Sequence, residues 1–166
     1  MLQREIPEHI NILAAEYANQ MGCRVILDMG GKDEPISERL LNSIDIISPN
    51  QTEFQRIVDS DKDLKEIGDL SSEENLNKCI SKMMSKYPYL NILYKQGNLG
   101  ASYYERDQDF MDKQMNERSN QHLFKHTFQK AYNFHDFKHK NINLVDTTGA
   151  GDSFTGAFAV ALLEGK

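Results

Sequence analysis

The sequence has no tryptophan and only two cysteines, Cys23 and Cys79, among its 166 residues. The two cysteines lie far apart and form no CxxC or CxxH pair, so reduced thiols are a better interpretation than a disulfide or a metal site. No apolar run approaches the ~20 residues that a membrane-spanning helix requires. The N-terminus also lacks a basic start followed by an apolar stretch, which argues against a secretory signal. We therefore expect a cytoplasmic protein that does not bind a membrane.

An excess of positive charge is missing as well, because 19 lysines and arginines face 25 aspartates and glutamates, for a formal net charge of −6. Nucleic-acid-binding domains usually carry a basic excess, so we expect no nucleic-acid partner. A nucleotide substrate is compatible with this balance, since Mg²⁺ and backbone amides can hold phosphates without a basic chain. The length fits one domain.

From residue 1 to about residue 105, short apolar runs alternate with amphipathic segments. We predict strands at 24–27, 44–47, 91–94, 101–105 and 142–145, and helices at about 7–21, 37–42, 51–58, 73–86 and 152–163. Apolar stripes mark the first and last helices. These stripes are Ile10, Leu13, Ala14, Tyr17, Ala18 and Met21 in the first helix, and Phe154, Ala157, Phe158 and Ala161 in the last. The alternation predicts an α/β fold with a mainly parallel central sheet and helices on both faces.

Residues 106–140 differ from the rest, because they are polar and lack sustained period-two alternation. We interpret them as a surface insertion, partly disordered, between two sheet segments. The pairs His122/His126 and His135/His139 have the i, i+4 spacing of some metal ligands, but no acidic partner stands in an HExxH arrangement. A solvated polar loop is the better interpretation.

The segment Asp146–Phe154 reads DTTGAGDSF and lies between a predicted strand and a predicted helix. Gly149, Ala150 and Gly151 allow a tight turn that aims successive amides at one point, and the positive end of the helix adds to this anion site. Asp152 would hold its carboxylate within reach of the same point. Phosphoryl transfer requires this combination of fixed donors for the phosphate charge and a base for the attacking hydroxyl. The alternative for Asp152 is an N-terminal helix cap.

The longer segment 146–158, DTTGAGDSFTGAF, resembles the second signature of the PfkB/ribokinase family of carbohydrate kinases. The resemblance implies that Asp152 takes the proton from a sugar hydroxyl as it attacks the γ-phosphate of ATP, while Gly149 to Gly151 form the anion hole. It also implies that Asp146 and Thr148 help to bind a potassium ion that shapes the loop.

Residues 48–53, SPNQTE, resemble the N-x-x-E motif of the same family. This likeness implies that Asn50 and Glu53 organise Mg²⁺ near the ATP phosphates, with Glu53 acting through water. The alternative is a helix start at which the two side chains form a capping box.

Residues 95–101, KQGNLGA, resemble the strand-end segment that lies against the nucleotide in this family. The likeness places Lys95, Gly97 and Gly100 beside ATP. A plain hairpin turn accounts for Gly100 equally well.

Three further segments resemble plant-type members of the ribokinase branch, namely LQREIP at 2–7, VILDMGG at 25–31 and AFAVALLEGK at 157–166. The resemblance implies an ATP-dependent kinase that converts D-ribose to ribose 5-phosphate, with the sugar and ATP as small-molecule partners. Alternatives are another acceptor, such as fructose, 2-keto-3-deoxygluconate or a nucleoside, and a non-catalytic fragment that keeps only the fold and the anion loop.

In this family, preceding sequence supplies the sugar-binding glycines and a β-sheet lid, and following sequence packs on adenine. Neither part lies within residues 1–166. We therefore expect a three-layer α/β/α ribokinase-like fold, incomplete at both ends, with little or no activity in the isolated chain. Relatives often dimerise through the lid, so a homodimer of the full-length protein is also an expectation.

Overall fold

Six strands form one sheet in the order in which they occur along the chain. The computed structural model describes residues 1–106, 124–132 and 146–165. The strands are β1 (Leu2–Gln3), β2 (Ile26–Asp28), β3 (Ile46–Ser48), β4 (Asn91–Lys95), β5 (Gly100–Arg106) and β6 (Phe124–Lys130). Strands β1 to β4 pair in parallel, whereas β4, β5 and β6 pair antiparallel. The prediction of a mainly parallel sheet is confirmed.

The helices of the described chain connect or cover these strands. They are α1 (Glu8–Gln20), α2 (Glu38–Leu41), α3 (Gln51–Ser60), α4 (Lys62–Lys65), α5 (Glu73–Lys86) and α6 (Ala150–Leu163). Side chains that accept from first-turn amides begin several of them, for example Ser37 at α2 and Ser72 at α5. Within the ranges that the structure describes, no helix is both long and apolar enough to span a membrane.

The alternation of side chains along the central strands divides the core into two layers. Leu27, Ile47 and Ile92 face a large cluster with α1 to α5. Their neighbours Ile26, Ile46 and Leu93 face the opposite side, where α6 packs through Phe158, Ala159 and Leu162. Each fully buried aliphatic side chain contributes about 1.5–3 kcal/mol of transfer free energy. Helices therefore cover both faces of the sheet, as predicted.

The buried face of α1 differs from the predicted one. Asn11 and Ala15 are buried, whereas Leu13, Tyr17 and Met21 in the predicted stripe are 58%, 65% and 64% exposed. The side-chain amide of Asn11 donates a 2.9 Å hydrogen bond to the backbone carbonyl of Gln3 in β1. This bond turns the polar side chain inward, and most of the predicted apolar stripe lies on the outer side of the helix, whereas Ala18 packs against the core.

The packing face of α6 was also predicted incorrectly. Of the predicted stripe, Phe158 contacts the sheet, but Phe154 is 40% exposed and Ala157 is exposed. The buried residue that orients the helix is Thr155, whose hydroxyl bonds to side chains of the sheet. Because α6 is apolar on most sides, spacing alone does not select the face that packs.

Strand β6 lies inside the segment that was interpreted as a polar insertion, so that interpretation is wrong for Phe124–Lys130. The strand pairs with β5 at seven positions, from Gly100↔Lys130 to Arg106↔Phe124. Alternate side chains of β6 pack on Tyr104, which stacks on His126 at 4.4 Å. Polar residues are tolerated because backbone hydrogen bonds supply much of the pairing. Residues 107–123 and 133–145, with His122, His135, His139 and the predicted strand at 142–145, lie outside the described residues.

A polar network fastens α6 to three strands. Lys95 Nζ lies 2.8 Å from Asp28 Oδ2, and Thr155 Oγ1 donates to the same oxygen at 2.7 Å. Since this short bond to a carboxylate uses the single Thr155 proton, Ser48 Oγ donates to Thr155 Oγ1 across 2.9 Å. The network therefore joins the carboxyl ends of β2, β3 and β4 to the first turns of α6.

Burial raises the pKa of the Asp28 carboxyl, but hydrogen bonds from Lys95 and Thr155 and from a backbone amide, with the Lys95 charge, outweigh that effect. The net result is a pKa below the ordinary value of 3.8. The ionised carboxylate is thus favoured by folding.

The turn between β4 and β5 depends on a glycine at position 100. Gly97–Leu99 form a 3₁₀ turn, and Gly100 has a φ of 127°. A Cβ at Gly100 would collide with the carbonyl of Gln129 on β6. At Gly97, where φ is 58°, a Cβ would meet no described atom within 4 Å. Gly100 is therefore explained by the close approach of β6.

Gly100→Ala is expected to lower the free energy of unfolding by about 3 kcal/mol, because the new methyl group displaces β6 and strains the backbone. The matched control Gly97→Ala should cost about 1 kcal/mol, for its left-handed backbone alone. Urea denaturation measures both values. Equal losses for the two variants would contradict this account of the turn.

Asp28→Asn is expected to lower the free energy of unfolding by about 3 kcal/mol at neutral pH, because it breaks a buried ion pair. Since the folded-state pKa lies below the unfolded-state pKa, the Asp28 contribution is present above the unfolded-state value. It is lost as the pH falls through the folded-state value. The difference between wild type and variant should therefore shrink below about pH 4 in denaturation curves. A difference that stays constant into acid would exclude this role of Asp28.

Candidate active site

The polar residues at the carboxyl ends of β2, β3 and β4 meet at one edge of the sheet. Asp28 ends β2, Lys95 ends β4, and Asn50 follows β3. Asn50 forms an isolated parallel bridge with Lys95, and the Lys95 amide donates to the Pro49 carbonyl at 2.8 Å. Open α/β sheets bind ligands outside this edge. The predicted site residues on β3 and β4 are therefore neighbours.

The loop before α6 is held by its own side chains. Asp146 Oδ1 accepts from the amide and from the hydroxyl of Thr148, at 3.0 Å each. These bonds, first among them the one from the Thr148 amide, lower the pKa of the Asp146 carboxyl. Gly149 then adopts a left-handed φ of 74° and stands at the N-cap position of α6. This conformation favours glycine and turns the chain from the loop into the helix.

Three backbone amides around the start of α6 are open, which here means that they have no hydrogen-bond acceptor among the described residues. Ser153 N donates to the Gly149 carbonyl at 2.9 Å, and Ala150 N donates to the Thr147 carbonyl at 3.2 Å. Among the residues that the structure describes, no acceptor bonds the amides of Gly149, Gly151 and Asp152. Open amides and the positive helix end are the groups that an anion site requires, and anion binding here remains a prediction. The Ala150 amide, in contrast, is already engaged in the turn.

Asp152 lies in the first turn of α6, and its side chain is exposed. The N-cap of the helix is Gly149, and no side-chain hydrogen bond caps this end. The alternative interpretation of Asp152 as a helix cap is therefore wrong. A free, exposed carboxylate beside open amides is able to accept a proton from a group that attacks a bound phosphate.

Asn50 and Glu53 form the capping box that was considered as an alternative. Asn50 Oδ1 accepts from Glu53 N at 2.9 Å, and Glu53 Oε2 accepts from Asn50 N at 2.7 Å. Glu53 Oε1 has no donor within the described ranges, and it would lie 3.8 Å from a Cβ at Gly30. One carboxylate oxygen thus holds the helix start and leaves the other open for a water or a metal-bound water.

The Lys95 side chain points into the protein at this edge of the sheet. Its side chain is 12% exposed, and its ammonium pairs with Asp28 and lies 3.4 Å from Thr155 Oγ1. An ideal Cβ at Gly151 would lie 3.6 Å from Lys95 Nζ. The ammonium therefore lies close to the backbone of the anion loop at Gly151. A direct contact of Lys95, Gly97 or Gly100 with ATP remains a prediction.

Asp28, Ser48 and Thr155 were not predicted from the sequence as site residues. A signal was available for the first two, because polar residues that end buried parallel strands gather at the ligand-binding edge. No sequence pattern marked Thr155, because it lies 127 residues along the chain from Asp28, to which its hydroxyl bonds. In the parts of the chain that the structure describes, no group of three or more His, Cys, Asp or Glu side chains is placed to hold a metal ion.

Comparison with known proteins identifies the family. A family profile described as "pfkB family carbohydrate kinase" matches residues 1–166. Ribokinase of Arabidopsis thaliana is 34% identical over 166 residues, which are 100% of the chain and 35% of that protein. Ribokinase of Staphylococcus aureus (strain COL) is 29% identical over 160 residues, or 96% of the chain and 41% of that protein.

The fold is similar to that of solved ribokinases. The structure of Arabidopsis thaliana ribokinase complexed with ribose and ATP matches with a TM-score of 0.73 at 36% identity, over 99% of the chain and 43% of that structure. The chain thus spans between 35% and 41% of the length of the two curated relatives named above. The match over its whole length and the ribokinase-like sheet agree with each other: the chain belongs to the pfkB family of carbohydrate kinases.

Proposed function

We propose that the chain supplies the catalytic aspartate and the anion loop of an ATP-dependent sugar kinase that converts D-ribose to ribose 5-phosphate. The observation that carries this proposal is the start of α6, where three open amides lie next to the exposed Asp152. Similarity to ribokinases supports ribose as the acceptor, and a relative solved with ribose and ATP supports both substrates. The sugar-binding part is expected in sequence outside residues 1–166.

In this proposal each open group has one task. The amides of Gly149 and Gly151 hold the oxygens of the transferring phosphate and stabilise the charge that builds up on them. Asp152 orients the sugar hydroxyl and takes its proton as the sugar oxygen bonds to the γ-phosphorus. The bond from that phosphorus to the bridging oxygen breaks in the same step, so that ADP leaves. Such a general base typically accelerates a reaction ~10²–10⁴-fold.

The residues around the loop fit the metal ions that the family implies. Glu53 Oε1 faces the edge without a donor among the described residues, so Glu53 would hold water on Mg²⁺ while Asn50 lies beside it. Mg²⁺ held there would supply positive charge to the phosphates of ATP. Asp146 and Thr148 offer oxygens at the exposed loop, where they would contribute to a K⁺ site. In this proposal, oxygens from Glu53 and from Asp146 and Thr148 would lie on two sides of the phosphates.

Asp152→Asn tests the base directly. Residues 1–166 would replace the matching segment of Arabidopsis thaliana ribokinase, so that the sugar-binding part is present. The variant chimera should lose ~10²–10⁴-fold in kcat, because amide nitrogen takes no proton. Affinity for ATP should stay within about threefold, since the loop amides are unchanged.

The control for this experiment is Asp59→Asn, which alters an exposed carboxylate on α3. It should leave both kcat and ATP affinity at the wild-type level. If Asp152→Asn kept most of its turnover, Asp152 would not be the base. If the wild-type chimera bound ATP but phosphorylated no sugar, the non-catalytic alternative would be favoured.

The isolated chain is expected to phosphorylate ribose far more slowly than the chimera, because it spans only 35% of Arabidopsis thaliana ribokinase and the chimera restores the remainder. A coupled assay with ribose as the acceptor measures this difference. Equal rates for the isolated chain and the chimera would contradict the expectation.

A further inference from the structure

Lys95 brings a largely buried positive charge close to the backbone of the anion loop at Gly151. A Cβ at Gly151 would lie 3.6 Å from Lys95 Nζ, and it would meet no other described atom within 4 Å outside its chain neighbours and the helix backbone. The carboxylate of Asp28 binds the ammonium through Oδ2 and turns Oδ1 to the Gly30 amide at 3.0 Å. Of the two charges, the ammonium is therefore nearer to the loop.

Both charges are held in place and shielded from water. The Lys95 and Asp28 side chains are 12% and 6% exposed, so dissolved salt screens their fields only weakly. Thr155 bonds to Asp28 and sits one helical turn after Gly151, and its Oγ1 lies 3.0 Å from the Gly151 carbonyl. The same helix thus carries the open amides and fixes their distance from the two charges.

We propose that Lys95 and Asp28 tune the affinity of the anion loop for phosphate, with Lys95 raising it and Asp28 lowering it. Neither side chain touches the phosphate; both are positioning residues that act through the backbone at Gly151. The inference rests on the proposed function, because it assumes that the open amides bind an anion. Its distinctive consequence is that the two partners of one ion pair have opposite effects.

The test uses the chain itself and inorganic tripolyphosphate, which imitates the phosphate tail of a nucleotide. NMR chemical shifts of the Gly149, Gly151 and Asp152 amides during titration give the dissociation constant. Lys95→Met should weaken binding about tenfold, since a unit charge several ångströms away acts through an effective dielectric constant of about 20. Asp28→Asn should strengthen binding roughly threefold or more. If the two effects add, the double variant should bind roughly threefold more weakly than wild type.

Lys86→Met is the matched control. Lys86 pairs with Glu38 at 2.7 Å and with Asp61 at 3.1 Å, but it lies on α5, across the sheet from α6. Its loss should leave the dissociation constant unchanged. If Lys95→Met does not fold, as judged by circular dichroism, the comparison of Asp28→Asn with the double variant isolates the Lys95 charge. The double variant should then bind more weakly.

The outcomes separate the inference from the function on which it rests. If wild type binds tripolyphosphate but Asp28→Asn weakens binding as Lys95→Met does, the pair only holds the structure and the inference is overturned. If the two variants bind like wild type, it is overturned as well. If wild type itself does not bind tripolyphosphate, the proposed anion loop fails, and this inference fails with it.

Discussion

The ion pair between Lys95 and Asp28, with Thr155 bonded to the same carboxylate oxygen, places α6 on the sheet. Apolar contacts alone fix the helix poorly, because α6 is apolar on most sides and several rotations would bury similar area. A hydrogen bond has a required direction and length, so the contact of Thr155 with Asp28 selects one of these rotations. Compared with apolar residues of similar volume, a buried ion pair contributes little net stability, although removing one partner alone is costly. We infer that the main role of this pair is to fix the geometry of α6.

The position of α6 in turn decides where the chemistry can occur. Gly149 turns the chain into the helix with a left-handed φ, and the amides of Gly151 and Asp152 come out at the edge where β2, β3 and β4 end. Phosphoryl transfer relies on donors that are already in place when charge develops, because reorganising them during the reaction would raise the barrier. In the proposed kinase, the fold would therefore contribute to catalysis chiefly by holding backbone groups in place.

Much of this arrangement was accessible from the sequence because it depends on local patterns. Alternating strands and helices predicted the parallel sheet, and DTTGAGDSF predicted an anion loop before a helix. Strand β6 escaped prediction because lysine, threonine and glutamine fill one set of alternate positions and His126 interrupts the apolar set, and it is stabilised by pairing with the more distant β5. The predicted packing face of α1 was wrong because Asn11, which donates a hydrogen bond to Gln3, is buried, whereas most of the apolar stripe is not. Hydrogen bonds between separate helices and strands leave no periodic signal in the sequence.

The most direct measurement is a crystal structure of the chimera with Mg²⁺, ribose and a non-hydrolysable ATP analogue. The account predicts terminal phosphate oxygens at hydrogen-bond distance, about 3 Å, from the amides of Gly149 and Gly151. It also predicts that the carboxylate of Asp152 lies between that phosphate and the acceptor hydroxyl. A nucleotide whose phosphates lie away from the start of α6, or an Asp152 carboxylate directed away from the sugar, would contradict it.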